Sequence, residues 1–236
     1  MQPTSVDGKP PRMNIYVQAL EGSKPVGEPR KLTSETARDI SNFFWKGPDV
    51  VLYQKDFGGD ENFHVLAVDA KTGKITDLTP YDGVRASIED DLEDDPDHIL
   101  ISHNQRDPQV FDVYRVNVHT GAGVLVAQNP GNIVGWQTDH AGKVRAAVTS
   151  DGLNTTLLYR DNEASEFRPL LTTDYRTSVS PAFFTFDDKK FYALSAAATS
   201  SAWWSSTRPH PTKKTRSSPR IPSTWTPPAS RASAAS

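Results

Sequence analysis

The sequence predicts an all-β fold, and three observations carry that prediction. Short runs rich in β-branched and aromatic residues alternate apolar with polar positions. Turn formers punctuate these runs, drawn from 14 glycines and 18 prolines in 236 residues. A unit of paired strands returns about every 44 to 50 residues.

The elements follow in order. A partial unit opens the pattern from Met13 to Glu35. The first whole unit has strands at Ser41–Trp45, Val50–Asp56, Phe63–Asp69 and Lys74–Pro80, with a turn at Lys46–Asp49. Thr72-Gly73 closes its third hairpin, glycine supplying the positive φ. The second unit runs through Val84–Asp94, His98–Asn104, Phe111–Gly121 and Gly123–Asn129. Its Thr120-Gly121 repeats the earlier turn 48 residues on. The third runs through Ile133–Asp139, Val144–Ser150, Thr155–Asp161 and Phe167–Thr173. A fourth begins at Ser178–Ser195, with its turn at Asp187–Lys190, and then the periodicity ends. A repeat of this length made of short strands marks the blades of a β-propeller. The predicted architecture is a partial propeller, about three whole four-stranded blades flanked by two half blades. Such an array with unpaired ends reads as part of a larger propeller. A small four-bladed ring, closed by pairing the two half blades, is the alternative.

The predicted organisation has a disordered N-terminus at 1–12, the propeller portion at 13–195 and a disordered tail at 196–236. The tail is rich in Ser, Thr, Pro, Ala and Arg, and cannot bury enough apolar surface to offset its chain entropy. It holds six basic residues, Arg208, Lys213, Lys214, Arg216, Arg220 and Arg231, and no acidic one. The body upstream is left with 20 basic against 29 acidic residues, which argues against nucleic acid as a partner. Two origins of the tail stand open: a natural linker, or a shifted reading frame in a GC-rich gene. The frame slip turns Val-Val codons into Trp203-Trp204, and Glu-Glu codons into basic ones like Lys213-Lys214.

The absence of cysteine excludes disulfides, thiolate metal sites and a cysteine nucleophile. No apolar run approaches the roughly 18 residues of a membrane span, and MQPTSVDGKPPRMN lacks the apolar core of a secretion signal. These features point to the cytoplasm and to no membrane partner. The periplasm is the alternative if the natural N-terminus lies further upstream. The oligomeric state is left open.

Several clusters invite a site. The acidic run Glu89, Asp90, Asp91, Glu93, Asp94, Asp95 and Asp97 offers oxygens to a hard cation, but lacks the spacing and glycine of an EF-hand and reads as a solvated loop. The histidines are His64, His98, His103, His119, His140 and His210. None forms a ligand pair, and His98 and His103 fall on opposite sides of a strand. His64, beside Asp60 and Glu61, reads as a loop anchor. Gly58-Gly59 and Gly83 give no phosphate cradle, since no helix follows them. Arg85 and Arg106 have the chemistry to grip a peptide carboxylate. Trp45, Trp136, Phe183, Phe184 and Phe186 read as core aromatics stacked between blades. No metal or cofactor is expected.

The runs Val50–Ala86 and Ile101–Gly121 carry a resemblance. The first contains G-G-D-E-N then aromatic-His, at Gly58 to His64. The second contains N-x-R-D, at Asn104 to Asp107, then D-x-Y-R, at Asp112 to Arg115. They resemble the propeller of the prolyl oligopeptidase family of serine peptidases, and most of all its bacterial dipeptidyl- and acylaminoacyl-peptidase branch. The resemblance implies a two-domain enzyme whose propeller restricts entry to small peptides and covers an α/β-hydrolase domain. This chain departs from it. G-x-S-x-G, the turn that exposes a nucleophilic serine, is absent from the 236 residues. Ser180 and Ser195 lie in strand-like text without flanking glycines. No catalytic residue is therefore assigned. The expected function is a truncated, substrate-gating propeller of a serine oligopeptidase, inactive alone. A stand-alone propeller that binds peptides or proteins is the alternative.

Overall fold

The computed structural model describes residues 12–177, 179–195 and 202–205. They form strands and turns, with no helix among the described residues. The chain makes a hairpin, then three four-stranded antiparallel sheets, then a three-stranded sheet. The hairpin pairs β1 (Tyr16–Glu21) with β2 (Lys24–Lys31). The first whole sheet is β3 (Asn42–Lys46), β4 (Val50–Asp56), β5 (Phe63–Asp69) and β6 (Ile75–Asp77), each strand beside the last. The second is β7 (Ala86–Asp90), β8 (His98–Asp107), β9 (Val110–Asn117) and β10 (Gly123–Ala127). The third is β11 (Ile133–Thr138), β12 (Val144–Ser150), β13 (Asn154–Tyr159) and β14 (Arg168–Asp174). The last is β15 (Val179–Phe184), β16 (Lys190–Ser195) and β17 (Ala202–Ser205). The fold is an all-β, partial propeller.

The repeat is visible in its turns. At the β5–β6 connection the Gly73 N–H donates to the Asp69 carbonyl at 2.8 Å, with Gly73 at φ 78°. The β9–β10 connection repeats this with Gly121 and the Asn117 carbonyl, at 2.8 Å and φ 75°. Asp69 and Asn117 each turn a side-chain oxygen onto two following backbone N–H groups, the Asx geometry that fixes a tight turn.

Burial is organised by the seams between sheets. Val50, Leu52, Val65 and Ala67 of the first sheet pack on Ala86, Ile99, Ile101 and Val116 of the second. Leu100 and Val113 of the second meet Val144 of the third. Ala146, Leu157 and Tyr159 of the third meet Val179, Phe184, Phe191 and Ala193 of the last. On the other side of the first sheet, Val51, Tyr53, Leu66 and Val68 meet Ile15 and Leu32 at the ends of the hairpin. Both faces of an internal sheet are therefore apolar, the pattern of blades stacked face to face.

Two expectations are corrected here and one alternative falls. The last sheet does not stop at two strands: β17 lies within the expected tail and pairs with β16, Ala193 opposite Ala202 and Lys190 opposite Ser205. A four-residue strand needs only backbone pairing, which composition does not reveal. The rest of the expected tail, like residues 1–11, lies outside the described residues. The two half units do not pair into a common blade, since β1–β2 and β15–β17 are separate sheets. Of the five aromatics assigned to the core, Phe184 is buried and Trp136 half-buried, but Trp45, Phe183 and Phe186 are exposed. Phe186 sits in the turn after β15 and stacks on His140. Trp45 lies on the edge strand β3, beside the face that the hairpin covers, and Phe183 lies on a face that no other sheet covers among the described residues.

Candidate functional site

The two motif regions build loop clamps around buried carboxylates. In the first sheet, Arg38 donates twice to Asp56, at 3.1 Å each, and Asp56 is 4% exposed. Gly59, at φ 79°, lets the loop 57–62 lie against that guanidinium, 3.2 Å from where a Cβ would stand. The hydrogen bonds and charge of Arg38 hold the Asp56 carboxyl below the ordinary range. In the second sheet, Arg106 donates to both oxygens of Asp112 at 2.7 and 2.9 Å, and to the Asn129 carbonyl at 2.7 Å. The Asn129 N–H also donates to Asp112. Burial would raise the Asp112 carboxyl, but these donors outweigh it and hold it low. Asn104 accepts the Arg85 backbone N–H and donates to the Pro108 carbonyl, fixing the β8–β9 hairpin. The third sheet uses the same device with Arg145 on Asp139 at 2.9 Å.

Arg106 thus spends its Nε and Nη2 on Asp112 and the Asn129 carbonyl, inside the fold rather than on a peptide carboxylate. Arg85 precedes β7 with an exposed side chain. His64 bonds Asp77 at 2.9 Å and meets Phe57 edge-on; its partner is not the neighbouring Asp60 or Glu61. Asp60 instead accepts the Asn62 N–H inside its own loop. His98 bonds Asp95, His119 bonds Asp97 and His140 bonds Asp188. His103 is buried, stacks on Tyr114 at 4.1 Å, and is pushed by burial to a lower pKa despite Asp112. Among the described residues no serine hydroxyl bonds a histidine ring. Ser180 lies in β15 and Ser195 in β16. His210 lies outside the described residues.

The acidic run is a solvated loop from Asp91 to Asp97, with Asp91, Glu93, Asp94 and Asp97 exposed, but its first two members are not part of it. Glu89 and Asp90 belong to β7, and Ser102 donates to Glu89. Asp90 caps the Leu92 N–H at 2.7 Å and accepts the Thr138 hydroxyl of the next sheet. Among the described residues no three acidic or histidine side chains gather to hold a metal ion. No helix among them is long and apolar enough to cross a membrane.

Sequence reasoning missed the residues that stitch one sheet to the next. Lys46 is 4% exposed and donates to the carbonyls of Asp91 and Leu92 across the first seam. Arg160 is 6% exposed and donates to the carbonyls of Val144, Glu163 and Val126, the last in the preceding sheet. A basic residue at the end of an apolar strand was the available signal. Its partners are backbone carbonyls, which leave no trace in composition.

The chain is 34% identical over 197 residues to Dipeptidyl aminopeptidase BIII of Pseudoxanthomonas mexicana, covering 80% of this chain and 27% of that protein. It is 29% identical over 175 residues to Dipeptidyl peptidase family member 6 of Caenorhabditis elegans, covering 68% of this chain and 22% of that protein. The chain therefore spans about a quarter of the length of the curated relatives it matches. No family model matches it. Its fold is similar to one in a structural and mechanistic study of two prolyl endopeptidases, with a TM-score of 0.52 and 12% identity over 75% of this chain and 29% of that one. That likeness speaks to the fold alone. The resemblance to the prolyl oligopeptidase family of serine peptidases that the motifs carry is thus borne out by a dipeptidyl aminopeptidase relative, and the part of the chain that carries it is β-propeller.

Proposed function

We propose that the chain is the substrate-gating propeller portion of a serine oligopeptidase that releases dipeptides from small peptides, and that it performs no hydrolysis by itself. The observation that carries this is the 34% identity to a dipeptidyl aminopeptidase over 80% of the chain. The chemistry of the chain agrees. Its motif arginines, aspartates and histidines are spent on clamping loops, which gives a rigid scaffold rather than a reacting centre. Rigid stacked sheets restrict entry by shape, so the gate needs no chemistry of its own.

Two measurements test this. Purified chain is offered a chromogenic dipeptide substrate with and without a serine-directed phosphonate; no turnover is expected, and phosphonate-sensitive turnover overturns the inactivity. Residues 12–195 are then exchanged for the matching stretch of Dipeptidyl aminopeptidase BIII. The chimera is expected to release dipeptides from short peptides and to spare long unfolded chains. A folded chimera that degrades both equally removes the gating role.

A further inference from the structure

An Asp-Gly pair is a point where a chain can rearrange its own backbone, because glycine has no Cβ to keep its nitrogen away from the aspartate side chain. The sequence holds three such pairs, Asp7-Gly8, Asp82-Gly83 and Asp151-Gly152. The first lies outside the described residues. The other two sit in exposed turns, with Gly83 at φ 69° and Gly152 at φ 87°. A Cβ placed on either glycine meets nothing within 4 Å, so the two pairs are equally open sterically. Hydrogen bonding separates them.

At Asp151 both reacting groups are occupied. Its carboxylate accepts the Leu153 N–H at 2.9 Å, the Asn154 N–H at 2.6 Å and the Asn154 side-chain amide at 3.1 Å. These donors hold the Asp151 carboxyl below its ordinary range, so it stays ionised and is a poor electrophile. The Gly152 N–H, which carries the attacking nitrogen, donates to the Ser150 hydroxyl at 3.2 Å. At Asp82 neither group is held. Among the described residues, the Asp82 carboxylate and the Gly83 N–H have no hydrogen-bond partner. The turn is closed by the Val84 N–H on the Tyr81 carbonyl, a long bond at 3.3 Å.

We propose that Asp82-Gly83 is a site of spontaneous backbone isomerisation in the folded chain, and that Asp151-Gly152 is protected from it. The Gly83 nitrogen attacks the Asp82 Cγ. The N–Cγ bond forms, and the carboxyl hydroxyl leaves with the amide proton as water, giving a five-membered succinimide. Water then opens the ring at one of its two carbonyls. Breaking the new N–Cγ bond restores aspartate. Breaking the bond from the Asp82 backbone carbonyl to the Gly83 nitrogen leaves the chain running through Cγ, an isoaspartate with a free α-carboxylate. The isoaspartate adds one methylene to the backbone between Tyr81 and Val84. Val84 is 6% exposed and leads into β7, so the added length falls on the connection between the first two four-stranded sheets.

Prolonged incubation of the full chain in heavy-oxygen water, at neutral pH and physiological temperature, tests this. Each opening of a succinimide leaves one heavy oxygen on the residue. Tryptic peptides 75–85 and 146–160 separate the two pairs. Peptide 75–85 is expected to gain label, and to become a substrate for an isoaspartyl methyltransferase, several times faster than peptide 146–160. In chain kept unfolded in urea the two peptides are expected to react alike, since only the local sequence then sets the rate. Asp82→Glu, whose side chain closes a less favourable six-membered ring, is expected to remove the label from 75–85 and leave 146–160 unchanged. Equal labelling of the two peptides in the folded chain overturns the proposal. So does a peptide 75–85 that gains no label, or label there that survives Asp82→Glu.

Discussion

The seam between the first two four-stranded sheets and the outer face of the last sheet are made of similar residues, yet one is sealed and the other open. Ile99 and Ile101 are fully buried, while Phe183 and Leu194 lie mostly in water. Both pairs sit in regular antiparallel strands with apolar alternation. Burial in this fold is therefore a property of the neighbouring sheet and not of the strand. A stacked array concentrates its stability between sheets, and its ends contribute little to holding it together.

The largest expected effect follows directly. Ile101→Ala at the first seam should destabilise the chain by about 2–5 kcal/mol in urea unfolding, since a sealed seam cannot collapse around the lost methyls. Leu194→Ala on the open face should cost less than about 0.5 kcal/mol. Equal losses at the two sites would mean that the outer face is covered in solution.

The contrast also shows what was legible in the sequence. Strand positions were, because Val144–Ser150 or Phe63–Asp69 alternates on a period the chain must obey wherever it packs. Which aromatics were core was not. Trp45 and Phe184 look alike in their strands, and what separates them is whether a neighbouring sheet reaches over that strand. The candidate site was legible as motifs but not as roles. The N-x-R-D and D-x-Y-R runs pointed to the family, yet that Arg106 closes on Asp112 depends on how the β8–β9 hairpin folds back. Lys46 and Arg160 bond backbone carbonyls across seams, and a carbonyl has no residue type to read.

Glycine positions sharpen the comparison next. A Cβ on Gly142 would overlap the Leu92 side chain in the second seam, while a Cβ on Gly22 in the first hairpin meets nothing within 4 Å. Both residues have positive φ, 65° and 61°, so alanine strains the backbone at both, by about 1–2 kcal/mol. Gly142→Ala should therefore cost about 1–3 kcal/mol more than Gly22→Ala, the excess being overpacking. Paired thermal melts measure it, and equal losses would show that Leu92 moves aside freely.

A carboxylate clamp should follow the same division. Asp112→Ala removes the acceptor of Arg106 and of the Asn129 N–H at a site 1% exposed, and should cost about 1.5–3 kcal/mol. Asp161→Ala breaks an exposed pair with Arg168 and should cost about 0–1 kcal/mol. Because Asp112 is held below the ordinary carboxyl range, its contribution is present above the unfolded-chain pKa and fades as pH falls through the lower folded value. The difference between parent and Asp112→Ala should shrink in strong acid. A difference independent of pH would assign the loss to packing.

The smallest effect is the one whose sign is least obvious. Glu89 belongs to the acidic run, but it sits at the bulge in β7, where Ile88 pairs with Ile101 and Asp90 with Leu100. Burial raises its carboxyl, and the Ser102 hydroxyl only partly opposes this; no charged group contributes to the shift. The folded chain therefore holds this proton more tightly than the unfolded chain. Its stabilising contribution is complete below the ordinary carboxyl pKa and is lost as pH rises through the raised folded value. At neutral pH the buried Glu89 carboxyl is therefore a cost to the folded chain. Glu89→Gln keeps an acceptor for Ser102 and removes the charge, so it should raise the urea midpoint at neutral pH and leave it unchanged near about pH 4. Glu93→Gln, an exposed position in the same run, should change neither. A Glu89→Gln chain less stable at neutral pH would mean that the carboxylate is paired with a cation in solution, and that the run is a site after all.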